Sequence, residues 1–532
     1  MRNIRTWADI KKARWAKELT AAEEQLIECC QEGWLCKLGD GTLPTAPSDT
    51  RTVGADLLRY LILGGCKKYR VHNSGMQLCG AYVQHSLDLH YAKTSGATML
   101  VNSFFEEKIE AHRCRFDGLI LQGSTLQNGL NAHAAEFKGN VVLREGFRSL
   151  GFVNLMGAEI GGQLNCSNGF FSSDGQIAFS AQSASIAGSL FMNGGFCATE
   201  IVDLNNAVIG GTLDFTNSSF FGDGIRALHL QSTKANSLFW RGVHECRGLL
   251  DLNGAYFSTV ASDIESWDKT QEFLLDNFTY DHLVTNAHAS ELISWVQSGS
   301  TMDGKFSPQP YTQLAKVLRE MGHDHGARQV LLAKEKRLAQ AEKQRGRDRI
   351  AALKAEHAKP AFRDQSQQAQ QNSQVELAKL WEEQFFATLW SGTLRRLVGY
   401  GYKPRLIFYW TGGVILAMAI LSSLTYRLGG MVPNAPVVLL SDEWGRAVIE
   451  LNPAEAWLAT PAGQHYETFC ALAYAADVFI PLVPLGQEVA WAPTTATKLG
   501  AVLWVLNWLV KLAGWFITAL GAAAIAGVIR RE

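Results

Sequence analysis

The stretch LILQGSTLQNGLNAHAAEF, residues 119–137, contains one eight-residue pattern twice: apolar, x, apolar, x, x, small, x, apolar. Upstream the same pattern reads MQLCGAYV at 76, LDLHYAKT at 87 and IEAHRCRF at 109. Downstream it reads VNLMGAEI at 153, LNCSNGFF at 164, LFMNGGFC at 190, VDLNNAVI at 202, LDFTNSSF at 213 and LDLNGAYF at 250. The small positions are Ala81, Ala92, Ser103, Cys114, Ser124, Ala135, Gly146, Ala158, Gly169, Ala184, Gly195, Ala207, Ser218, Thr233 and Ala255. Their spacing is mostly 10–12 residues, with two steps of 15 and a last step of 22 that spans two units. Each unit alternates apolar and polar for only a few residues, which suits a short strand and is too brief for a helix. A fixed short period punctuated by GG, NG and NN turns predicts a β-solenoid. One coil cannot bury its inward residues alone; stacked coils join them into a column. Two units of about 11 residues per coil give roughly eight coils and a rod of about 38 Å. The small positions should be limited by packing at Ala207 and tolerant at the neighbouring outward Asn206.

The small–x–apolar endings GAYV, GAEI and NAVI resemble the pentapeptide-repeat and related right-handed β-helices of bacteria. The fold class expected is therefore mixed: a right-handed β-helix over 71–260, an N-terminal helical cap over 1–70, a helical connector over 261–395 and a C-terminal α-helical membrane module over 396–532. Some proteins of the pentapeptide type imitate DNA through an acidic face. Here residues 71–256 hold 15 acidic and 11 basic residues, too mild a balance for that role.

On the N-terminal side, Thr20 with Glu23 three residues on reads as a capping box opening a helix over 20–38. A second short helix is expected over 54–64. The first residues, Met1 to Trp7, contain no apolar core of a secretory leader. Ten cysteines without any C-x-x-C spacing read as reduced residues of a cytosolic domain. On the C-terminal side, 264–300 reads as mixed helical segments and 309–346 as a helical hairpin turning at Gly322. Residues 334–363 carry ten Lys/Arg against four Asp/Glu, a solvated face or one drawn to anionic lipid.

Nine of the 15 Trp lie in the last 152 residues, as at a membrane interface. The span 406–426 carries no charge and is flanked by Arg405 and Arg427, long enough to cross a bilayer. A second apolar segment covers 499–529, broken only by Lys511. Arg395, Arg396, Lys403 and Arg405 precede the first span, and Arg530 and Arg531 follow the second. The loop 428–498 has only Arg446 and Lys498 against seven acidic residues. Both ends should then be cytoplasmic in a bacterial inner membrane, with an even number of crossings. Residues 466–485 are apolar, but Asp477, Pro481 and Pro484 oppose a full crossing, so a re-entrant or interfacial helix is expected. Asp477, Pro481, Pro484, Asn507 and Lys511 are the candidate pore or re-entrant residues. Gly413 with Ala417, and the ladder Ala519, Ala523, Gly527, are the candidate helix-packing positions. The sequence LVGYG at 397–401 imitates a potassium filter but precedes the first span, and reads as a turn leading into the membrane.

The near-neutral net charge of −1 excludes a globally basic nucleic-acid binder. No GxGxxG after a strand, P-loop, HExxH or GxSxG is found, so no catalytic residue, metal or cofactor is assigned. The whole arrangement resembles bacterial membrane proteins of unsettled role, some labelled membrane-associated oxidoreductase. The expected partners are membrane lipids, further copies of the chain as a homo-oligomer, and a cytosolic protein on the solenoid flank; no nucleic acid is expected. The primary expectation is a membrane-anchored interaction scaffold or sensor, with an oligomeric channel-like or membrane-permeabilising protein as the alternative and the oxidoreductase as a second alternative.

Overall fold

The computed structural model describes residues 6–13, 19–175, 177–302, 304–358, 367–403, 405–480 and 483–526. The chain divides into two compact units, Met1–Lys334 and Glu335–Glu532.

The first unit is a parallel β-solenoid of about 9 turns. A typical turn has four two-residue strands, Leu119–Ile120, Thr125–Leu126, Leu130–Asn131 and Glu136–Phe137, before Val141–Val142 arrives above the first. Register repeats like residues over like: Leu119, Val141, Leu164, Leu190 and Leu213 are successive partners. All are buried. The backbone bonds along the rod, as in Val141 N to Gln163 O at 2.9 Å, so no strand needs a partner within its own turn. In the last turns neighbouring strands fuse around corners, as in Val208–Asp214.

Alternate corners turn through one left-handed residue. Tyr91, Asn102, Arg113, Ala134, Asn168, Ser183, Asn206, Asn217 and Ser232 all have φ between 46 and 57°. The next residue donates back three positions, as Ala135 N does to Ala132 O at 3.1 Å. That next residue is the small one, buried between strands. Asn206 therefore differs from the expectation of a freely tolerant site: it is exposed, but its φ of 57° favours Asn or Gly over most side chains. Two small positions are also displaced by one. At Gly146 and Gly195 the corner has two consecutive left-handed residues, and Phe147 and Phe196 occupy the buried place. The unit missing from the 22-residue step is centred on left-handed Gly242 and buried Val243. Gly161 and Gly210 serve a different need. A Cβ at either would collide with the carbonyl of Lys138 or Ala187 one turn earlier, so successive turns close up there only because the side chain is missing.

Inside the rod an aromatic column runs lengthwise. Phe147, Phe171, Phe196, Phe220, Trp240, Trp267 and Trp295 follow at centroid distances of 5.4, 5.2, 5.7, 6.1, 5.7 and 5.2 Å.

The solenoid extends beyond 71–260 at both ends. Cys36–Lys37 and Thr52–Gly54, inside the segment assigned to a helical cap, pair with Gly75–Cys79 and Tyr82–Gln84. The helix opened by Thr20 has both capping-box bonds but stops at Glu32, because Gly33 takes a left-handed φ of 77°. Trp34, just beyond it, is exposed. The second helix, Ala55–Ile62, forms as expected. At the other end, Thr270–Leu274 and Thr279–Val284 add strands where helix was expected. Their corner, Leu275 to Phe278 with left-handed Asn277, obeys the same grammar with Phe in the small place. Helix Ala289–Gly299 then closes the rod through Leu292, Trp295 and Val296. Gln309–Glu320 and Asp324–His357 form the expected hairpin around Gly322.

The second unit is helical. Gln367–Leu397 leads into Arg405–Arg427, and Lys498–Ile525 ends the described chain. The last two are long and apolar enough to cross a membrane. They run antiparallel: Met431–Pro433, just after the first, pairs with Trp491–Pro493, just before the second. At the far end Ile407 lies against Gly521. The LVGYG segment is a tight turn with Gly399, Tyr400 and Gly401 all left-handed, and Val398 packs on Leu520 and Ala524.

Candidate functional site in the helical module

A short helix, Ala471–Phe479, is wedged between the two long ones and contributes Tyr474, Ala475 and Val478 to their common core. Its nine residues reach roughly 14 Å, less than half of a hydrocarbon core. Ser422, in the last turns of the first long helix, lies at its start. Gly514, past the middle of the second, lies at its end: a Cβ there would overlap the Phe479 carbonyl. The chain then doubles back, through Gly486 with φ 84°, to the turn Gln487–Ala490 and the strand Trp491–Pro493. Residues 466–480 thus enter the bundle, and 483–490 lie back against Tyr466 and Asp477 on the side from which the segment came.

Two polar side chains hold this hairpin closed. Gln487, buried, accepts from Cys470 N at 2.9 Å and donates to Glu467 Oε1 at 2.8 Å and Thr468 O at 3.1 Å. Asp477, 9% exposed, accepts from Leu485 N and Glu488 N, both at 2.8 Å. Its carboxylate replaces the backbone partners that the returning turn lacks.

Beside the hairpin is a cleft of about 140 Å³. It is lined by Tyr474, Glu488, Trp491, Trp504, Asn507, Trp508 and Lys511, among others. Asn507 Nδ2 donates to the Tyr474 hydroxyl at 2.6 Å, while its buried Oδ1 has no hydrogen bond. Lys511, one turn on, forms an ion pair with Glu488. Lys511 lies 13 residues after Lys498 and 13 before Ala524, so roughly 20 Å from either end of the apolar length.

Of the candidate pore residues, Asp477, Asn507 and Lys511 all belong to this hairpin and cleft. Pro484 is exposed in the irregular segment ahead of Gly486, and Pro481 lies outside the described residues. Glu488, Gln487 and Tyr474 were not singled out from sequence. Glu488 was one of seven acidic residues in a loop, and the available signal was Gly486 ahead of a polar pair after a proline. The candidate packing positions lie mostly on the outer surface of the single chain. Gly413, Ala417 and Ala519 are exposed, Ala523 is half-buried, and Gly527 lies outside the described residues. A Cβ at Gly413 would meet nothing within 4 Å. Close approach within the chain occurs at Gly514 and Gly521 instead.

The solenoid carries its own titratable ladder. His229 Nδ1 is 3.3 Å from Asp203 Oδ1 and its Nε2 is 3.8 Å from Asp251 Oδ2, on the turns before and after. The Asp203 hydrogen bond, aided by that carboxylate's charge and by Gln231, raises the imidazole pKa against partial burial and the repulsion of Arg226. A folded pKa above the unfolded value means stabilisation complete below about pH 6.5 and lost as pH rises through the folded value. The thermal midpoint of the solenoid should accordingly fall above about pH 6.5, and His229→Gln should flatten that slope; an unchanged slope would show that Asp203 does not hold the imidazolium. Elsewhere His90, His112 and His133 form a column with centroids 6.1 and 5.1 Å apart. No cluster of three or more ligating side chains able to hold a metal ion is present among the described residues. The ten cysteines are all free.

No family model matches this chain, and no curated protein and no solved structure matches it.

Proposed function

We propose that this chain is a multi-pass bacterial inner-membrane protein that presents its β-solenoid in the cytosol as an interaction scaffold or sensor, with both termini cytoplasmic, like the pentapeptide-repeat-type membrane proteins that its sequence resembles. The observation that carries this reading is the inside-out pattern of the helical module. Phe408, Tyr409, Leu416, Ile420, Leu509, Leu512 and Trp515 point outward and are exposed, while Ser422, Thr425 and Asp477 are buried. A water-soluble bundle would reverse this order; a bilayer favours it. The helix Gln367–Leu397 adds exposed Phe385, Phe386, Leu389 and Trp390 next to Arg395 and Arg396, as at an anionic interface.

Topology reporters test it. A reporter inserted before Arg405 and one fused after Glu532 should both be cytoplasmic, and one inserted within 430–460 periplasmic. A periplasmic C-terminal reporter would require an odd number of crossings and overturn the arrangement.

The re-entrant hairpin between two antiparallel helices favours a second reading, an oligomeric conduit. Planar-bilayer recordings separate the two: steady conductance by purified protein supports the conduit, and its absence at verified incorporation supports the scaffold. The oxidoreductase reading has the least support, since the sequence has no C-x-x-C pair and burial pushes the Cys30, Cys114 and Cys246 thiols up to about 12; the Cys66 thiol is lowered, by its hydrogen bond with Tyr60.

A further inference from the structure

We infer that the face of the helical module bearing the Lys511–Glu488 pair is a contact between two copies of this chain; this rests on the membrane reading above. In the single chain the two side chains are 39% and 34% exposed, at about the middle of the apolar length. Around them Trp504, Trp508 and Val489 are exposed, and Asn507 Oδ1 lacks a donor. Acyl chains offer neither charge nor hydrogen bonds, so an ion pair left open to them at that depth is strongly disfavoured. Lysine commonly escapes by reaching toward the head groups. Here either end of the apolar length is roughly 20 Å away, well beyond the side chain, and Glu488 holds the ammonium in place.

Water is the other way to cover the pair. The cleft of about 140 Å³ holds on the order of ten waters, a local pocket beside the pair and not an aqueous column through one chain. A protein surface would seal that pocket from acyl chains, and a second copy has the required chemistry. The patch carries one positive and one negative side chain and two indole rings. Such a set is self-complementary under a two-fold axis, where each lysine can meet the other copy's carboxylate. Small-residue surfaces exposed at Gly413, Ala417 and Ala519 remain free for lipid or for further contacts.

The test places a photoactivatable diazirine side chain, one position at a time, at Val489, Trp508 and Ile420 in the full-length protein reconstituted in phospholipid vesicles. All three positions are more than half exposed, at 74%, 60% and 64%. Irradiation at Val489 and Trp508 is expected to give chain-to-chain adducts with at least about ten-fold less lipid adduct than Ile420. Lipid adducts at all three positions would overturn the inference and leave the membrane reading standing. So would lipid labelling at Ile420 with neither product at Val489 and Trp508, which would put water on the pair. No lipid adduct at Ile420 would overturn the membrane reading, and the inference with it.

Discussion

Phe171→Ala is expected to destabilise the solenoid by about 3–5 kcal/mol. The ring is fully buried and touches Phe147 and Phe196 on the turns either side, and Phe179 edge-on at 5.5 Å. Neighbouring turns are held at the strand spacing by their backbone bonds, so the rod cannot collapse into the space. The cavity persists, and its cost adds to the lost transfer energy. Phe170 provides the internal control. It precedes Phe171 on the same two-residue strand, faces outward, and lies under the Arg148 guanidinium at 4.4 Å. Phe170→Ala removes a partly exposed cation–π contact and should cost about 0.5–1 kcal/mol. Chemical denaturation followed by near-ultraviolet circular dichroism measures both. Equal costs would mean that the inward and outward faces are reversed.

Glu488→Ala should cost about 1–3 kcal/mol, because it leaves the half-buried Lys511 ammonium without its carboxylate. Asp477 does not replace it without loss, since both its oxygens already accept backbone N–H groups of the returning turn. Removing the second charge should restore most of the loss: Glu488→Ala combined with Lys511→Met leaves no ion to desolvate. The measurement is the thermal unfolding midpoint of the purified protein in detergent, for the single and double variants. A neutral Glu488→Ala would show that Lys511 is hydrated and that the pair does not stabilise the module. A double variant no better than the single would show that Glu488 acts through the hairpin backbone and not through the lysine.

Periodicity decided much of this architecture in advance. The alternation in LILQGSTL and LNAHAAEF implies short strands, the small residue implies a corner, and the repeat implies stacked turns. Thr20 with Glu23 predicts the helix start that forms, and the uncharged run 406–426 predicts the first long helix. These readings succeed because each depends on neighbours in sequence. At Phe147, Phe196, Val243 and Phe278 the buried corner place holds a large side chain where the pattern favours a small one; Phe147 and Phe196 belong to the aromatic column, and only the stacked turns bring its rings together.

The helical module repeats the lesson. A charge deficit and three apolar segments already imply two long helices and a third segment that stops short. Lys511 is conspicuous in its apolar run. Glu488 and Gln487 are not, since their roles arise only when the chain folds back and brings 487–488 beside 467–477 and 511. Sequence alone determined the repeat, the helix starts and the apolar lengths, because hydrophobic period and capping act over a few residues. Only the tertiary structure decided where each turn's large residues stack, which glycines admit close approach and which carboxylate meets the lysine, because those depend on the burial of groups far apart in the chain.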